Sequence, residues 1–293
     1  TGSRLLLQAP GGRLLVDCGL FQGRKVDRLR NWQPPGFDPC GVDAVVLTHA
    51  HIDHSGYLPR LVREGFKGPV YATPATADLA NLLLRDAAMI QEEDAAHANR
   101  KGYSKHTPAL PLFTRADAEA AVELFEVVDF DDWTTPFAGL RFRPINVGHI
   151  LGSSMVEIEV ADRDPPLRIL VSGDVGRYDA PLVRDPPPPL ACDVLVVEST
   201  YGDRRHESVS VREQLAEVLR GVKASGGTAL IPAFAVGRSQ QILCLLRAVM
   251  DAQPELDMAI HLDSPMAIET TKLYRKYPEE SGREQVPMLR GGG

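Results

Sequence analysis

Residues 49–54 read His-Ala-His-Ile-Asp-His, three imidazoles and one carboxylate within six positions of a chain with only eight histidines in 293 residues. On extended backbone His49 and His51, two apart, point to the same side and can share one metal ion. Asp53 and His54 come where Ser55-Gly56 turns the chain toward a helix, so their side chains splay away and can serve a second ion. Imidazole nitrogen with carboxylate oxygen suits zinc and related borderline metals, and the cluster lacks the cysteines that close a structural zinc site. The alternative is a surface loop rich in histidine by chance, and so dense a cluster argues against it.

Such a cluster needs rigid elements on either side. Val42 to Leu47 is an apolar run of strand length, and Tyr57 to Val62 reads as the helix after the turn. The same design recurs along the chain. Residues 4–8 and 13–18 are strand-like, joined by the turn Ala9-Pro10-Gly11-Gly12, and the second ends at Asp17. L-R-F-R-P-I-N-V (140–147) alternates, breaks at Gly148-His149-Ile150-Leu151-Gly152-Ser153, and resumes as M-V-E-I-E-V. R-I-L-V-S-G-D-V-G (168–176) places Asp174 on a glycine-flanked turn. Residue type alone leaves each lone group open. Asp17 either caps its own turn or orients a ligating histidine from behind, and one histidine between glycines is more often structural.

Composition bounds the rest. A hydrophobic fraction of 44% over this length supports one large domain or two smaller ones. No stretch approaches the roughly eighteen apolar residues of a membrane span. Cys18, Cys40, Cys192 and Cys244 form no close pair and read as reduced residues of a cytoplasmic protein. The net charge of −7 argues against a broad basic face for nucleic acid, though not against local arginines beside metal ions. Arg24, Lys25, Arg28 and Arg30 make one such local stretch, ending at Trp32, and read either as a solvated loop or as an RNA-facing one. Residues 76–99 predict a long amphipathic helix with Leu79, Leu82, Leu83 and Met89 on one face, and a second helix follows at about 114–125.

Beyond the polyproline-like connector 185–189 and a buried strand at 192–197, the character changes near residue 208. A helix over about 208–223, a strand T-A-L-I-P-A-F (228–234), a helix over about 237–250, a strand M-A-I-H-L-D-S-P (258–265) and a helix from Ala267 form a parallel β-α-β-α succession. Two domains are expected, 1–207 and 208–293.

H-A-H-I-D-H resembles the H-x-H-x-D-H signature of the metallo-β-lactamase superfamily, and the other strand ends resemble its remaining motifs: V-D-C-G-L-F-Q-G the first, G-H-I-L-G-S the third and S-G-D the fourth. V-E-S-T-Y-G, P-A-F-A-V-G-R-S-Q and L-D-S-P-M-A resemble the nucleic-acid-processing β-CASP branch, and G-Y-S-K-H-T-P-A-L-P-L-F resembles its RNA-acting members. The resemblance implies an α/β fold, an αββα sandwich followed by a partial β-CASP domain with parallel strands. It implies two zinc ions on His49, His51, Asp53, His54, His149 and Asp174, with Asp174 bridging. A hydroxide from the shared water would attack the phosphorus of single-stranded RNA. Asp53 would also accept a hydrogen bond from that nucleophile, Asp17 would lie beside the metals, and Glu198 would hold a ligating histidine from behind. Arg238 and Ser239 open a helix whose N–H groups could grip phosphate.

Two further histidines of the family motifs, one a ligand and one a general acid, would fall beyond residue 293, and the family's opening strand is also expected to be cut off. His206 and His261 match neither motif. A non-catalytic β-CASP scaffold and a DNA-directed nuclease are the rival functions; a small-ester hydrolase would lack the region after 208. No membrane partner is expected, and a homodimer is left open.

Overall fold

The structure, a computed structural model, describes residues 1–204 and 210–280. His206 and the boundary drawn between residues 207 and 208 lie outside the described residues. Contacts divide the chain into two compact units, one assembled from Thr1–Val147, Gly152–Val175 and Pro187–Val197, the other chiefly from the helices after Glu198.

The first unit contains two five-stranded sheets. In one, β1 (Leu5–Ala9) and β2 (Gly12–Val16) form the predicted hairpin, after which β3 (Ala44–Val46), β4 (Val70–Ala72) and β5 (Phe125–Val127) add on in parallel. Between these strands lie α1 (Lys25–Leu29), α2 (Ile52–Ser55), α3 (Leu58–Arg63), α4 (Pro74–Lys101) and α5 (Arg115–Val122). The other sheet holds β6 (Thr134–Phe137), β7 (Leu140–Asn146), β8 (Ser154–Val160) and β9 (Leu167–Val171), all antiparallel, with β10 (Val194–Val196) parallel to β9.

Period-two alternation decides what each sheet buries. Leu14, Val16, Ala44, Val46 and Tyr71 from the first sheet meet Phe142, Val156, Ile158 and Val171 from the second in one core. The opposite row of the first sheet, Leu15, Val45 and Val70, is equally buried, on the side of the mutually packed helices α3, α4 and α5. Being covered on both faces explains why Ala44–Leu47 is continuously apolar rather than alternating. The outer face of the second sheet is instead clothed by ion pairs. Arg141 meets Glu159 at 2.7 Å and Arg143 meets Glu157 at 2.7 Å, with Arg168 reaching Glu157 at 3.2 Å.

The long predicted helix is α4, capped by the Thr73 hydroxyl and ended by left-handed Gly102. Its buried stripe is Leu79, Leu84 and Ala88, whereas Met89 is 39% exposed. Met89 lies five positions past Leu84, which carries it well off the i, i+4 row that faces the core.

The second unit contains α6 (Val211–Ser225), α7 (Arg238–Ala252) and α8 (Pro265–Lys276). Ala216, Leu219, Leu246, Val249 and Met250 form its core, Leu256 closing it from the turn after α7. All three predicted helices are present. The predicted parallel strands are not: 228–234 and 258–264 carry no ladder pairing among the described residues. A strand is a pairing relation and not a property of one run, and Pro232 interrupts the first run with a residue that cannot donate to a ladder. Leu230 is accordingly 92% exposed and Phe234 83% exposed.

Candidate metal centre

The centre lies at one end of the sandwich because four strands finish there. β2 and β3 are parallel, and β7 and β9 both run against β8, so Asp17, His49, His149 and Asp174 follow strand ends that point the same way. A hydrogen bond from the Ser154 amide to the Thr48 carbonyl, 2.8 Å, joins the two sheets at this edge. The Gly152 carbonyl accepts from the hydroxyls of Thr73 (2.7 Å) and Thr76 (2.8 Å), fixing the turn after His149 against the start of α4. Two glycines permit the close approach of loops. A side chain at Gly19 would meet the Asp53 carbonyl at 1.6 Å, and one at Gly173, whose φ is +55°, would meet Thr48 at 2.8 Å.

Four predicted ligands converge. His49, His51, His149 and Asp174 each offer a donor atom, all within 4.8 Å of one another. His49 Nε2 lies 3.1 Å from His51 Nδ1 and 3.9 Å from Asp174 Oδ2. His54 sits beside this group, its Nε2 3.3 Å from Asp174 Oδ1. The two oxygens of Asp174 therefore face two different imidazoles. Asp53, one residue earlier on α2, is partly exposed.

Asp17 orients the centre from beneath. It is 1% exposed and holds left-handed backbone, φ +61°, a region aspartate tolerates better than most residues. Its carboxylate accepts from the Thr48 amide at 2.8 Å and the Thr48 hydroxyl at 3.0 Å, and bonds His54 Nδ1 at 2.7 Å. Thr48 Oγ1 lies in turn 3.0 Å from His49 Nδ1. One buried carboxylate thus sets one imidazole directly and a second through a threonine, the arrangement that fixes the tautomer of metal-ligating histidines. Thr48 carried no signal in the sequence, where it is only the residue between strand and cluster. Burial lowers the pKa of His54, but the charge and hydrogen bond of Asp17, then Asp174, outweigh it and push the imidazole up to about 10. The field that holds that proton is one that favours any cation at the same nitrogen.

The remaining predicted residues lie outside this group. Glu198 follows β10 and is partly exposed. Arg238 is exposed at the first position of α7, but Ser239 is 7% exposed and its hydroxyl donates to the Phe234 carbonyl at 2.8 Å. The amides of Arg238 and Ser239 already bond Val236 and Phe234 carbonyls, at 3.0 and 3.1 Å. A phosphate at this helix start would find those donors engaged, which corrects the expectation for Ser239.

Residues 3–215 match the family model of the metallo-beta-lactamase superfamily. This chain belongs to the metallo-β-lactamase superfamily. Within the superfamily it is similar to ribonuclease TTHA0252 of Thermus thermophilus, 40% identical over 99% of this chain and 62% of that protein. It is 32% identical to cleavage and polyadenylation specificity factor 73 of Drosophila melanogaster, over 94% of this chain and 38% of that one. It is 30% identical to transcription termination factor FttA of Methanocaldococcus jannaschii, over 96% and 42%. The chain thus spans between about two fifths and three fifths of the length of these relatives. Among the described residues no helix is long and apolar enough to cross a membrane.

Proposed function

We propose that this chain carries the metal centre of a zinc-dependent ribonuclease of the β-CASP branch that cleaves single-stranded RNA. The metal assignment rests on Asp174, whose two oxygens divide between His49 and His54, as a carboxylate shared by two ions requires. The substrate assignment rests on the likeness to a bacterial ribonuclease across 99% of this chain.

The donor set fits zinc, being three imidazoles and a carboxylate close enough to converge, without cysteine. His49, His51 and His149 would hold one ion, Asp53 and His54 a second, and Asp174 both. Bound zinc would supply Lewis acidity and lower the pKa of an attacking water toward neutrality. The chain's own residues do the positioning. Asp17 holds His54 with Nδ1 protonated, so that Nε2 faces inward, and Thr48 extends that control to His49. Asp53, on the first turn of α2, would also accept a hydrogen bond from the attacking water, and Glu198 would steady a ligating histidine from behind. Arg238 remains an exposed cation for the RNA backbone. Residues 208–293 would form part of the β-CASP domain. A cytoplasmic location agrees with four free cysteines, and a homodimer is a separate proposal that light scattering would test.

The test is cleavage of a labelled single-stranded RNA by the intact protein, with and without a zinc chelator. Cleavage that chelation abolishes and zinc restores is expected. Hydrolysis of a β-lactam or a thioester with RNA left intact would overturn the reading.

A further inference from the structure

Near the metal loops, α1 and the turn after it form a surface whose construction the centre does not explain. None of the residues of α1 is buried, yet the segment is firmly held. Asn31, 6% exposed, accepts from the Phe21 amide at 2.9 Å and donates to the Phe21 carbonyl at 2.8 Å. The Phe21 ring takes the Arg30 guanidinium at 3.8 Å and the Arg4 guanidinium at 5.2 Å, and Arg4 also lies over Tyr57 at 3.7 Å. Just before it, the Leu20 amide bonds the Ile52 carbonyl and the Gly19 amide bonds the Ser3 carbonyl, both at 2.9 Å, which ties the base of the loop to α2 and its His-Asp cluster.

What this scaffold presents is apolar and cationic at once. Val26 is 63% exposed, Leu29 51% and Trp32 50%. Residues 22–32 carry four cations, Arg24, Lys25, Arg28 and Arg30, against the single carboxylate Asp27, in a chain of net charge −7. Asp27 pairs with Arg24 at 3.0 Å, which leaves Lys25 and Arg28 pointing their charge at solvent. An exposed indole interleaved with unneutralised cations matches what a single strand offers, since every base has a face to stack and every linkage a negative charge.

We infer that residues 22–32 form a docking surface for single-stranded RNA beside the metal centre, Trp32 stacking on a base and Lys25 and Arg28 taking phosphates. The inference rests on the ribonuclease reading and adds a place where the strand is held. A ring on a locked support loses little freedom when a base stacks on it, which suits a permanent platform better than a mobile arm.

The experiment measures fluorescence anisotropy of a labelled phosphorothioate RNA 12-mer bound to intact, zinc-loaded protein over a salt series. Trp32→Ala should weaken binding about 5-fold or more, the loss of one stacked base. Trp32→Phe should recover most of it. Lys25→Glu with Arg28→Glu should lower affinity and flatten the log–log salt slope by about 0.7 per lost phosphate contact. Bound zinc and thermal midpoint should stay at wild-type values, because none of these side chains enters the core. Wild-type RNA binding unaltered in all three variants would overturn the docking surface, leave the ribonuclease reading standing, and point to a protein partner for this face. A wild-type protein that binds no RNA at any salt would overturn both.

Discussion

Asp17→Asn tests how the centre is oriented. Asparagine has nearly the same shape and also tolerates left-handed backbone, so φ +61° costs little. Its oxygen can still accept from the Thr48 amide, where the carboxylate now accepts at 2.8 Å. Its NH2 group then faces His54 Nδ1, where the carboxylate now sits at 2.7 Å. A donor there makes Nδ1 an acceptor and moves the imidazole proton to Nε2, the atom 3.3 Å from Asp174 that a second ion needs unprotonated. Loss of such an orienting partner typically lowers metal affinity about 10- to 100-fold. Loss of the buried charge-assisted bond should also cost the zinc-free protein about 1.5–3 kcal/mol of stability. Competition against a chromophoric zinc chelator resolves the two ions, and the weaker-bound one should show the loss. An affinity within about threefold of wild type for both ions, in a folded variant, would refute the claim that Asp17 sets the tautomer.

Gly19→Ala should be strongly destabilising, because the new methyl would sit 1.6 Å from the Asp53 carbonyl; chemical denaturation should show a loss of several kcal/mol, above the usual overpacking cost of about 1–3 kcal/mol. The chelated protein should weaken as pH rises: His54 goes from an ordinary 6.5 to about 10 on folding, so its contribution is complete below pH 6.5 and lost between 6.5 and 10. Urea midpoints across that range should therefore fall in wild type and change much less in Asp17→Asn. Ser239→Ala should remove the buried bond to Phe234 and lower stability by about 1 kcal/mol while leaving RNA affinity unchanged; weakened RNA binding would restore Ser239 as a substrate contact.

The candidate centre was the most legible part of the chain because His49, His149 and Asp174 follow the apolar strands β3, β7 and β9, and strand ends are where a sandwich brings loops together. His49, His51, His149 and Asp174 are separated by up to 125 residues in sequence yet converge within 4.8 Å. Asp17 was ambiguous from its own neighbours, since whether it caps a turn or holds a histidine depends on a contact 37 residues away. Thr48 gave no sign at all, its role being visible only once both of its neighbours were placed. The helices were readable as periodic runs, and the structure adds their caps at Ser210 and Ser264, whose side chains accept from Glu213 and Ala267 amides. Runs 228–234 and 258–264 carry no ladder pairing among the described residues, because apolar alternation reports a tendency to pair while pairing itself depends on a neighbour.

Anomalous scattering at the zinc edge, from crystals of the intact, zinc-loaded protein, counts the ions that share Asp174. Two peaks are expected. One should be held by His49, His51, His149 and Asp174, the other by Asp53, His54 and the second oxygen of Asp174. A single peak that leaves one Asp174 oxygen without a metal, in protein that cleaves RNA at its full rate, would contradict a shared Asp174.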